Sequence, residues 1–75
     1  MDIEKLNITR VWVGNDFYVD ILPDEIYFEF WLHKKGYGKA LYMFTTACDS
    51  EQYKKELIKN NIDDYIKIYN TDLIE

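Results

Sequence analysis

The sequence predicts an α+β domain, a four-stranded antiparallel meander (ββββ) with one or two C-terminal helices packed on one face. Three observations carry this. From Ile8 to about Thr46, apolar residues alternate with polar or ring-bearing ones at the two-residue period of a strand. Gly14-Asn15-Asp16, Pro23-Asp24 and the glycine-bearing run Lys34 to Lys39 cut that stretch into four segments. After Cys48 the character changes, and Lys, Glu, Gln and Leu recur at helical spacing. With 75 residues there is room for one hydrophobic core, so 1–75 is expected to be a single domain.

The first strand is read as Ile8 to Val13 and the second as Phe17 to Leu22. Their connection, Gly14-Asn15-Asp16, tolerates the positive φ angles of a tight hairpin. A three-residue loop puts Val11, Val13, Phe17, Val19 and Ile21 on one face. Arg10, Trp12, Tyr18 and Asp20 then share the other, with Arg10 opposite Asp20. Pro23-Asp24 supplies the next turn, and Ile26, Phe28, Phe30 and Leu32 alternate with Tyr27, Glu29, Trp31 and His33 in a third strand. The fourth runs from Ala40 to about Thr46, with Leu41 and Met43 expected on one face and Tyr42 and Phe44 on the other.

Asp49 or Ser50 can cap a helix running from about Ser50 to Lys59, which Asn60-Asn61 is expected to interrupt. Ile62, Tyr65, Ile66, Tyr69 and Leu73 then fall on one helical face, and Asp63 and Asp64 suit the positive end of the dipole. The competing reading makes Tyr65 to Tyr69 a fifth strand, since those residue types are strand formers. Either way, the C-terminal half supplies the cover that a one-sided sheet needs.

Hydrophobic residues make up 48% of the chain, outside the range of disordered segments. The net charge of −5 argues against binding nucleic acid through phosphate neutralisation. Up to Cys48 there are 7 acids against 5 bases, and beyond it 7 against 4, so the halves carry −2 and −3 and neither is a charged tail. Cys48 is alone, so no internal disulfide can form, and a cytoplasmic location is expected. Met1-Asp2-Ile3-Glu4-Lys5 lacks the basic start and apolar run of a signal peptide, and no apolar stretch is long enough to span a bilayer.

The candidate contact surface is the second sheet face. Trp12, Tyr18, Tyr27, Trp31 and Tyr42, with Phe44 as a further candidate, gather there around Glu29, His33, Arg10 and Asp20. Tryptophan and tyrosine give large contact area at low entropic cost, so such a patch points to a protein interface. It can equally be covered by the C-terminal residues or closed by a second copy. Rings on a sheet can also stack single-stranded bases, but the flanking cations Arg10, Lys34, Lys35 and Lys39 do not make the basic signature of such modules.

Other chemistries are weaker. Lys34, Lys35 and Lys39 around Gly36 and Gly38 could contact an anion, although a solvated hairpin loop explains them as well. Cys48 lies just before a helix start and His33 is the one imidazole, but a lone cysteine is more often a small buried hydrophobe. Glu51 and Glu56 lie among lysines on a helix face. No catalytic residue, metal site or cofactor is expected.

The expected function is a small acidic intracellular interaction module, of regulator or inhibitor type, binding a protein partner or itself through the ring-rich face. The alternative is a small ligand-binding or catalytic domain using Glu29 and His33 on that face. A minor alternative is an acidic mimic of nucleic acid, motivated by the seven acids after Cys48. Nucleic acid and membrane are not expected as partners.

Overall fold

The computed structural model describes residues 9–74. Four antiparallel strands, β1 (Thr9–Val13), β2 (Phe17–Asp24), β3 (Tyr27–Lys34) and β4 (Ala40–Thr46), form one sheet in the order β1-β2-β3-β4. One long helix, α1 (Glu51–Ile68), follows and runs into a π-helical end, Tyr69–Ile74. This is the α+β meander expected. Ile8, the expected first strand residue, and Met1 to Lys5, read above for signal-peptide character, lie outside the described residues.

The first hairpin has the three-residue loop. Val13 pairs with Phe17, Arg10 with Asp20, and Gly14 takes the positive φ of 67° that a tight turn needs. Val11, Val13, Phe17, Val19 and Ile21 therefore share the helix-side face, as the alternation predicts.

The second turn sits two residues later than expected. Pro23 and Asp24 belong to β2, opposite Phe28 and Tyr27, and the loop is Glu25-Ile26, with Glu25 at φ 59°. A two-residue hairpin needs a positive φ, and here the ladder that places Val19 beside Leu32 and Ile21 beside Phe30 runs on to the chain reversal. Pro23 is tolerated near the strand end, since the described pairing with β1 stops at Ile21. Ile26, expected to open the third strand on the core side, is instead 73% exposed.

The fourth strand carries a β-bulge. Trp31 pairs with Tyr42 and Phe30 with Phe44, so Met43 is the extra residue between them. Beyond the bulge the alternation reverses. Phe44, expected among the outer rings, lies on the helix side with its ring 4.7 Å from Phe30 and 6.1 Å from Tyr65.

Ser50 caps α1, its hydroxyl accepting the Tyr53 N–H at 3.1 Å. The expected break at Asn60-Asn61 does not occur. Asn61 turns its side-chain amide onto the Leu57 carbonyl at 2.7 Å, and the helix runs unbroken over all 18 residues from Glu51 to Ile68, which also excludes a fifth strand at Tyr65 to Tyr69. Weak asparagine propensity is offset because Ile58, Ile62 and Tyr69 all bury against the sheet.

Two tyrosines tie this helical segment to β4 and the loop before it. Tyr65 donates its hydroxyl to the carbonyl of the bulged Met43 at 3.0 Å, and Tyr69, fully buried, donates to the Lys39 carbonyl at 2.6 Å. Burial pushes the Tyr69 hydroxyl above its ordinary pKa, because the ionised form would lose its water. The core between the layers is Phe17, Val19, Ile21, Phe30, Leu32, Met43, Ile58, Ile62 and Tyr69.

Candidate functional site: the ring-bearing sheet face

Cross-strand register assembles the outer face. Trp12, Tyr18 and His33 form one row across β1, β2 and β3, and Arg10, Asp20, Trp31 and Tyr42 form the next across all four strands. In the first row the Tyr18 ring stacks on His33 at 4.9 Å with only 5° between planes, and Trp12 tilts against the same Tyr18 ring at 4.9 Å. In the second, Trp31 and Tyr42 meet nearly edge to face at 5.2 Å. Tyr27 stands apart, opposite Asp24 at the hairpin end.

At the centre is a carboxylate that the face shields from water. The Asp20 side chain is only 12% exposed, and Arg10 grips it with Nε at 2.8 Å and Nη2 at 3.2 Å. The same guanidinium lies 4.1 Å from the Tyr18 ring centroid. Its hydrogen bond to Asp20 raises the already high Arg10 pKa. His33 Nε2 approaches Asp20 Oδ2, the oxygen that also accepts from Arg10 Nη2, at 3.5 Å. The opposition of Arg10 and Asp20 is legible from the hairpin loop length. Alternation also puts His33 on this face beside them, while its approach to Asp20 follows from the pairing of β2 with β3.

Trp12, Tyr27 and Tyr42 are each about half exposed, at 51%, 46% and 46%, and Tyr18 and Trp31 are partly buried against their neighbours. The Trp31 indole N–H donates to Glu29 at 3.1 Å, and the Tyr42 hydroxyl shares a 2.6 Å hydrogen bond with Thr45. These bonds hold the rings in fixed poses while leaving parts of them to solvent.

The remaining candidates are scattered. Glu29 and His33 lie four residues apart on β3, about 13 Å along the strand, each with its own partner, so they do not converge on one reacting atom. Lys34 points its ammonium toward the Phe17 and Tyr37 rings at 5.3 and 5.1 Å. Lys39 donates to the Leu73 carbonyl at 3.2 Å, and Lys35 is exposed, so the three cations face separate surroundings. Cys48 packs against the helix-side core, whereas His33 is on the other face near the far end of β4, about 20 Å of strand away. Burial pushes the Cys48 thiol pKa up, the opposite of what a nucleophile needs. An open depression of about 480 Å³ adjoins it, lined by Ala47, Cys48, Asp49 and Tyr53.

Glu51 pairs with Lys54 at 2.9 Å on the first turn of α1, and the Lys54 ammonium lies 4.0 Å from the Phe28 ring centroid. Among the described residues no helix is long and apolar enough to cross a membrane. Comparison with protein-family models, curated proteins and solved structures gives no match.

Proposed function

We propose that this chain is a small acidic interaction module of regulator or inhibitor type, which binds a protein partner or a second copy through the outer sheet face. One observation supports the reading above the others. Five large rings, Trp12, Tyr18, Tyr27, Trp31 and Tyr42, lie on the side of the sheet away from α1, and three of them are about half exposed. A ring already held by a neighbour loses little conformational freedom on binding, so more of its contact energy survives as affinity. Trp31 and Tyr42 form the anchor pair, and Trp12 with Tyr18 forms the second. The lone Cys48 fits action inside the cell.

Light scattering of the purified protein is the first test. Either it is a dimer that Trp31→Ala converts to monomer, or it is a monomer that retains a partner from native lysate only while Trp12 and Trp31 are intact. A monomer whose bound proteins are the same with and without the two indoles would overturn the reading.

A further inference from the structure

A second surface, on the edge of β1, has its own chemistry. Val11 and Val13 of β1 and Ile58 and Ile62 of α1 floor a groove of about 300 Å³, with Trp12 at one wall. Among the described residues β1 is paired only with β2, so one side of its backbone is open to a further strand. Lys55 and Lys59 line the same groove, both exposed, and neither makes an ion pair with another described residue. On a chain of net charge −5, these two cations one helical turn apart give the groove a basic rim.

We infer that this groove binds an extended acidic peptide, which adds as a strand beside β1, seats an aliphatic side chain between β1 and α1, and offers carboxylates to Lys55 and Lys59. Strand addition uses main-chain hydrogen bonds for affinity and alternate side chains for specificity. The lysines are one helical turn apart, about 6 Å along the axis, and their flexible stems reach groups on either side of one buried residue. A basic peptide would bring like charge to the rim, so the site discriminates by sign.

The probe is the acetylated, amidated and fluorescein-labelled peptide Thr-Glu-Thr-Ile-Thr-Glu-Thr. Its groove-side positions read Glu, Ile, Glu in either chain direction. The counterpart has lysine at both glutamate positions. With the full-length protein, the acidic peptide should bind with a Kd on the order of 100 µM and shift the Val11 and Val13 amide resonances. The basic peptide should bind at least about tenfold more weakly, and K55E/K59E should reverse the preference. Trp31→Ala, on the other face, should leave this binding unchanged, which separates its failure from failure of the outer-face reading. A melting curve checks that K55E/K59E is folded. Equal binding of both peptides, indifference to the charge reversal, shifts confined to the outer face, self-association that the peptide does not displace, or no binding at millimolar peptide would each overturn the inference.

Discussion

The two faces of this sheet are built from the same four strands and comparable residue types, yet they end in different states. On the helix side Phe30, Leu32, Val19 and Ile21 have no more than 1% of their surface exposed. On the other side the rings are arranged just as regularly, but Trp12, Tyr27 and Tyr42 keep about half of theirs. What separates them is the cover that α1 provides, together with the polar groups each face tolerates. The inner face admits tyrosine hydroxyls only where a β4 or loop carbonyl accepts them, whereas the outer face organises itself around Arg10, Asp20 and His33. Ring content alone therefore does not distinguish core from contact surface; what lies over the rings does.

The contrast can be broken most forcefully at Phe30. Phe30→Ala should cost roughly 3–5 kcal/mol in a urea melt, since a fully buried ring leaves a cavity. Trp31→Ala, one residue away on the opposite face, should cost clearly less stability. Its main effect should fall on association, with a loss of about 2 kcal/mol or more in binding if Trp31 is an anchor. Equal stability losses for the two variants would erase the distinction between the faces.

Smaller changes test how the cover is fastened. Ser50→Ala removes the N-cap of α1 and should lower stability by about 1 kcal/mol without altering outer-face binding. Tyr69 gives the finest probe. Its hydroxyl pKa is raised in the folded state, so the neutral form favoured by burial contributes stability fully below the ordinary tyrosine value near 10, and that contribution fades as pH rises through the folded value. Chemical denaturation between about pH 9 and pH 11 should show stability falling with pH, and Tyr69→Phe should flatten that slope. An unchanged slope in the variant would mean that the buried hydroxyl is not what couples the cover to pH.

Much of the candidate face could be read from residue order. The loop Gly14-Asn15-Asp16 sets the register of β1 on β2, so Arg10 opposite Asp20 and Trp12 beside Tyr18 follow from counting. The same counting sorts Tyr27, Trp31 and His33 away from Phe28, Phe30 and Leu32 on β3. It fails at Phe44, because one bulged residue at Met43 reverses every later side chain. The β1-edge groove was invisible for a different reason: Val11 and Ile58 are 47 positions apart in the chain, and only docking of the helix brings them together.

The sequence by itself determined the strand-rich half, the helical half, the first hairpin and the side taken by both tryptophans. These depend on two-residue alternation and glycine conformational freedom, which act over a few residues. Tertiary structure decided the bulge, the later second turn, the unbroken helix across Asn60-Asn61 and the approach of His33 to Asp20. The helix shows the physical reason most directly: placing Ile62 and Tyr69 against the sheet outweighs the fraction of a kcal/mol by which an asparagine disfavours a helix.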